Sequence, residues 1–167
     1  MGHASQFDEN PIFGDMQLRS AHLRELYRVW QRLCGHAPAL PRERLDPLSL
    51  PPRLLPHLGI IEVGDDGATL RYRLVGTAVT AALGRDFTGD TVRAFSRRHN
   101  DAGIAEGYRD VMTTGLPHRH DGHLCNEARQ RTTYERLALP VSADGGRTID
   151  TILAGFHFDP PTPGGGI

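Results

Sequence analysis

Leu70-Arg71-Tyr72-Arg73-Leu74-Val75-Gly76-Thr77, followed by Leu83-Gly84-Arg85-Asp86-Phe87-Thr88-Gly89, decides how this 167-residue chain reads. Apolar and charged residues alternate in the first stretch, with Leu70, Tyr72 and Leu74 on one side and Arg71 and Arg73 on the other. That is the period of a strand with one buried face. Gly76 breaks the pattern, Thr77–Leu83 is the length of a short helix, and Gly84 and Gly89 bracket a turn. Upstream, Ile60, Ile61 and Val63 run into Gly64-Asp65-Asp66-Gly67, a hairpin signal that joins a strand over 59–63 to one over 68–75.

Outward from this core the chain divides cleanly. Residues 1–15 lack periodicity and read as a loose lead-in, whereas Met16, Leu23, Leu26, Trp30 and Leu33 place an amphipathic helix over 16–36, stopped by Gly35 and Pro38. Arg24, Arg28 and Arg32 fall on its opposite side. Six prolines between Pro38 and Pro56, interleaved with leucines, describe a packed connector with at most one helical turn. Residues 88–98 read as a loop and turn. Asp101–Thr114 is helical, with Ile104, Tyr108, Val111 and Met112 on one stripe and Gly115 as its stop. Strands over 117–126, 131–141 and 148–158 follow, the last two joined through Asp144-Gly145-Gly146, and the Pro/Gly-rich tail 159–167 reads as disordered. Two strands, a helical block and three further strands predict an α+β domain with an antiparallel sheet and helices on one face.

Composition removes several classes of function. Basic and acidic residues nearly cancel, 19 against 20, so no excess of charge points to nucleic acid. Every basic residue other than histidine is arginine, which excludes Schiff-base, pyridoxal-phosphate and P-loop lysines. No serine lies in a GxSxG context and no GxGxxG follows a strand. Cys34 and Cys125 lack CxxC spacing and read as reduced thiols. No apolar run reaches signal-peptide or membrane-spanning length, so the expected setting is cytoplasmic, without membrane insertion.

Trp30 with Leu33-Cys34-Gly35, then Leu54-Leu55-Pro56-His57, Tyr72-Arg73-Leu74-Val75-Gly76, Gly84-Arg85-Asp86-Phe87-Thr88-Gly89 and Tyr134-Glu135-Arg136-Leu137 form an ordered set. In that order they resemble a single-domain bacterial PAS protein of an alphaproteobacterial subgroup, with the domain over 37–158. The resemblance implies a five-stranded antiparallel sheet of order 2-1-5-4-3, a cavity between sheet and helices, and an N-terminal flanking helix that makes dimer contacts. It also implies sensing or docking in signal transduction, with output through a partner protein, rather than catalysis. The cofactor stays open. The flavin-reactive cysteine motif of light-sensing relatives is absent, and His99 matches poorly the histidine that haem-binding relatives carry on the long helix.

Tyr72, Phe87, Tyr108, Met112, Tyr134 and Arg136 are the candidate ligand-binding residues, although most must build the core of so small a domain. Arg136 has a planar fork suited to a ligand's carboxylate or phosphate. An internal ion pair, with Asp86 or Glu62, is the commoner fate of a buried arginine. Leu23, Leu26, Trp30 and Leu33 are the candidate homodimer interface. His118 and His120 share one strand face, which gives the alternative reading of a metal-binding sensor or metal-dependent enzyme. Two imidazoles fall short of a usual ligand set.

Overall fold

In a computed structural model, which describes residues 17–160, helix α1 (Ala21–Cys34) leads into a two-residue strand β1 (Leu40–Pro41). Three 3₁₀ segments occupy the proline-rich connector, Arg42–Arg44, Pro47–Ser49 and Pro52–His57. The hairpin β2 (Leu58–Val63) and β3 (Leu70–Val75) follows, then helices α2 (Thr77–Leu83), α3 (Val92–His99) and α4 (Ala102–Thr114). Strands β4 (His118–Cys125), β5 (Arg131–Ser142) and β6 (Thr151–Phe158) close the domain.

The five long strands are antiparallel in the order β3-β2-β6-β5-β4, the 2-1-5-4-3 order implied by the sequence resemblance. A sixth was not expected: β1 pairs in parallel with the far end of β5, Leu40 opposite Val141. The twelve-residue β5 makes this possible, because its first part binds β4 and its last residues extend beyond β4's reach.

Each face of the sheet carries its own apolar core. Under α2, α3 and α4, Ile61, Tyr72, Phe95, Tyr108, Ile152 and Phe156 pack together. On the opposite face Leu23, Leu26 and Trp30 of α1 pack on Ile60, Leu137, Leu139 and Leu153. Strand β5 is therefore buried on both sides. Its even positions, Tyr134, Arg136 and Ala138, meet the inner helices, and its odd positions, Glu135, Leu137 and Leu139, meet α1. At Gly155 on β6 the helix comes so close that a Cβ would lie 2.5 Å from Leu26 Cδ2 and 2.7 Å from Leu23 Cδ2.

Some expectations need correction. The alternation in β3 slips: Ile60 and Ile61 pair with Leu74 and Tyr72, so Arg73 is an extra residue in the ladder. This bulge sends Leu74 to the α1 face while Leu70 and Tyr72 stay on the inner one. The stretch read as a loop over 88–98 contains α3, opened by Thr91, whose Oγ1 accepts from Ala94 N at 3.1 Å. His99 ends α3, and does not start the long helix. Asp159, placed in the disordered tail, is held: its backbone N–H donates to Thr133 O at 2.9 Å, and its carboxylate accepts from Thr133 Oγ1 at 2.7 Å. The lead-in 1–15 and residues 161–167 lie outside the described residues.

Candidate functional site

The inner face of β5 presents Tyr134 and Arg136 to α4, and the helix is shaped to receive them. Gly103 and Gly107 lie one helical turn apart on the side facing β4. A Cβ on Gly107 would stand 2.4 Å from Arg136 Nη2 and 2.8 Å from His118 Nδ1, and one on Gly103 would stand 2.6 Å from His120 Cε1. On β4, Gly122 makes the same concession, with His120 Nε2 at 2.7 Å and Asp101 Oδ2 at 2.8 Å from its would-be Cβ. Three missing side chains thus make room for two imidazoles and a guanidinium.

Arg136 is fully buried and has no carboxylate partner among the described residues. Its Nη1 donates to Ile104 O at 3.1 Å, its Nη2 meets His118 Nδ1 at 2.8 Å, and its guanidinium carbon lies 4.4 Å above the Tyr108 ring. The Nε–H has no partner. The ion pair with Asp86 or Glu62 does not form: Asp86 bonds Thr88, and Glu62 pairs with Arg42 and Arg73. Because the guanidinium only donates, His118 Nδ1 is the acceptor and its proton sits on Nε2, 3.8 Å from Asp110 Oδ2. Burial, then the Arg136 charge, hold the His118 pKa below its ordinary value.

A second polar group adjoins the first. Tyr134 donates its hydroxyl proton to Asp101 Oδ2, and His120 Nε2 lies 3.6 Å from Asp101 Oδ1. Burial opposes the Asp101 charge, but the contacts from His120 and Tyr134 outweigh it and hold the carboxyl below the usual range. Burial and the Asp101 charge push the Tyr134 phenol far up, so it remains a donor. A cleft of about 540 Å³ opens beside this group, lined by His99, Asp101, Gly103, His120, Gly122 and Arg131 among others.

Of the six residues expected to bind a ligand, Tyr72, Tyr108, Tyr134 and Arg136 meet in one buried cluster. Ring centroids of Tyr72 and Tyr108 are 6.5 Å apart; the two hydroxyls lie close enough to influence each other, and Arg136 acts on Tyr108, but neither hydroxyl makes a hydrogen bond of full geometry. Phe87 joins the apolar side, 4.8 Å from Tyr72 and 4.6 Å from Phe95 between centroids. Met112 sits half-buried at the margin of the inner core. The expected interface residues Leu23, Leu26 and Trp30 are buried against the chain's own sheet, with Trp30 Nε1 donating to Pro140 O at 3.1 Å, and Leu33 is half-buried beside them. His118 and His120 do share a face, but one receives an arginine and the other faces Asp101. Among the described residues no three His, Cys, Asp or Glu side chains gather around a metal-sized point. Both cysteines are free thiols, and burial pushes the Cys34 thiol up to about 12.

Glu135 was given no role in the sequence analysis, and the structure places it at the centre of a second polar network. It is fully buried, and its carboxylate accepts from Arg19 N at 2.9 and 3.1 Å, Ser20 N at 3.0 Å and Arg119 Nε at 2.9 Å. Burial works against its charge, but these donors win and depress its pKa. The carboxylate sits at the positive start of α1, where Ser20 makes no side-chain cap of its own. Ser20 Oγ is instead engaged by His22 Nδ1 at 2.9 Å, while His22 Nε2–H reaches Phe156 O at 2.9 Å. In the sequence it stands within the Tyr134-Glu135-Arg136-Leu137 motif, as one of a charged pair flanked by Tyr134 and Leu137.

Comparison with known proteins agrees with this architecture. The LOV protein of Rhodobacter sphaeroides superposes with a TM-score of 0.51 at 13% identity, over 61% of this chain and 58% of that one. A light-oxygen-voltage domain studied with a flavin analogue gives 0.50 at 9% identity, over 62% and 77%. An RNA-binding light-oxygen-voltage receptor gives 0.50 at 14%, over 65% and 34%. The chain thus spans under two thirds of the Rhodobacter protein, and likeness at these identities concerns the fold. No curated protein sequence matches the chain significantly. A family model described as PAS domain matches residues 18–154, from the start of the α1 anchor to the middle of β6, and the chain belongs to the PAS domain family.

Proposed function

We propose that this PAS domain is a non-catalytic sensory module that holds a small ligand in the inner cluster around Tyr72, Tyr108, Tyr134 and Arg136. The ligand's state is passed through β5 to α1 and read there by a partner protein. One observation carries the reading: consecutive residues of β5 serve opposite faces. Arg136 and Tyr134 enter the inner cluster, while Glu135 between them grips the start of α1 through Arg19 and Ser20. A strand has no slack between neighbouring residues, so displacement of Arg136 by an occupant shifts Glu135 against its donors. A ligand acts only through its different affinity for the two arrangements of α1.

The face of α1 turned from the sheet supplies the reading surface, with Arg24, Arg28 and Arg32 exposed. Because Leu23, Leu26 and Trp30 are engaged by the chain's own sheet, homodimer contacts in this reading use that outer face. Among the described residues no helix is long and apolar enough to cross a membrane. Native mass spectrometry with hydrogen exchange tests the proposal. Ligand occupancy is expected to change amide exchange in the first turn of α1, and occupancy that leaves α1 exchange unchanged overturns it.

A further inference from the structure

Three buried polar atoms in the inner core lack a hydrogen-bond partner and belong to residues in mutual contact: Tyr72 Oη, Tyr108 Oη and Arg136 Nε. All three residues are at most 1% exposed. Leaving such groups unmet in a protein interior is costly, and a buried cation without a counter-charge more so. The carboxylates nearest in the network do not compensate it. Asp101 is engaged by Tyr134 and His120, and Asp110 lies at the surface facing His118. The guanidinium is not a stray rotamer, because Gly107 clears its place on α4 and Ile104 O and His118 Nδ1 fix two of its nitrogens.

The three unmet groups have one chemistry in common. Nε–H can only donate, and a phenol hydroxyl gives its best bond by donating to an anion. A water molecule can accept from Nε–H and donate to a phenol oxygen, but it leaves the Arg136 charge uncompensated. An anion accepts from Nε–H and from a phenol hydroxyl, and it neutralises Arg136 as well. We propose that Arg136, Tyr72 and Tyr108 form a binding site for a compact monoanion, either a halide ion or the carboxylate head group of a small acid. The inference rests on the inner cluster being the ligand site, and it assigns that site's ligand class.

The test is equilibrium unfolding of the whole chain in sodium bromide and, separately, sodium formate, with ionic strength held constant by sodium methanesulfonate, which is neither a halide nor a carboxylate. The wild type is expected to gain stability with the logarithm of bromide or formate concentration above an apparent Kd. Replacing both hydroxyls by Tyr72→Phe and Tyr108→Phe keeps the rings and is expected to weaken that Kd about tenfold or more. Arg136→Met is expected to abolish the response, and if that variant does not fold the double phenylalanine variant decides alone. A response to bromide without formate identifies a halide, and the stronger response to formate identifies a carboxylate. No response beyond the methanesulfonate reference, or an equal response in wild type and variants, overturns the anion site and leaves the three groups to water or to one another. Failure of the two readings is distinguishable. An anion response without altered α1 exchange overturns the sensory relay alone, and α1 exchange that answers only a neutral apolar ligand overturns the anion site alone.

Discussion

Glu135 and Arg136 are neighbours on one strand, both fully buried, and the sheet treats them in opposite ways. On the α1 face the carboxylate receives two backbone N–H groups and the Arg119 side chain, and Arg19 adds its charge at 3.8 Å. On the inner face the guanidinium finds a carbonyl, a histidine and an aromatic ring but no carboxylate, and one of its protons goes unmet. The outer face is complete as folded. The inner face carries a local deficit that the rest of the fold offsets, which is where a ligand gains most by entering.

The contrast can be broken most forcefully at Glu135. Glu135→Ala leaves the α1 start without its acceptor and is expected to cost about 3 kcal/mol or more, as loss of one partner in a buried charged network does. Chemical denaturation gives the size, and hydrogen exchange at residues 19–26 is expected to give the place. Next comes Gly107→Ala. Its Cβ would fall 2.4 Å from Arg136 Nη2, so the guanidinium or α4 must move, at an expected cost of about 1–3 kcal/mol in a urea melt.

Acid sharpens the comparison in two stages. Burial is the first cause that holds His57, His99 and His118 below their ordinary pKa of 6.5, and Glu135 is held below its ordinary 4.5. In every case the unfolded chain takes up protons that the folded chain resists, so stability rises with pH across each window. It is therefore complete above about 6.5 and falls from there as the histidines favour the unfolded state. A second fall begins near 4.5 as the Glu135 advantage is lost. Other carboxylates held low, Asp101 and Asp159 among them, share that second fall, so Glu135→Gln is expected to lose only the Glu135 part of it in stability measured against pH. The smallest effect separates the tyrosines. Tyr134→Phe removes a bond to an ionised Asp101 and is expected to cost about 1.5 kcal/mol or more, while Tyr72→Phe and Tyr108→Phe remove hydroxyls that make no hydrogen bond of full geometry and stay within about 0.5 kcal/mol of wild type or above it. Thermal melts in methanesulfonate buffer separate the two classes.

Local patterns carried much of the fold. The Gly64-Asp65-Asp66-Gly67 turn, the α4 stripe of Ile104, Tyr108 and Val111, and the stop at Gly115 are short-range signals, and each element lies within a few residues of its expected place. The bulge at Arg73 was hidden because an extra ladder residue is defined by the partner strand and not by β3 itself. Helix α3 was hidden because its buried stripe is only Val92, Phe95 and the polar His99 across eight residues, too short to mark a period, and a single threonine cap opens it. Among the site residues, four of six candidates meet because alternation and helical spacing assign them to the inner faces. Asp101, Gly103, Gly107 and Gly122 went unread, since a glycine reveals its purpose only when the side chain lying over it is known.

The sequence by itself determined the α+β class, the strand order through its resemblance, the absence of lysine chemistry and the amphipathic stripe of α1. Apart from the strand order, which the resemblance implied, these follow from residue type and from periods of two and 3.6, which need no knowledge of what lies across the sheet. Tertiary structure alone decided that this stripe packs on the chain's own sheet, that Glu135 holds the start of α1, and that Arg136 has no counter-charge. Each of these depends on which side chain arrives from a distant segment. Charge compensation in a protein interior is a property of neighbours in space, and Glu135 and Arg136, adjacent in the chain, have none in common across the sheet.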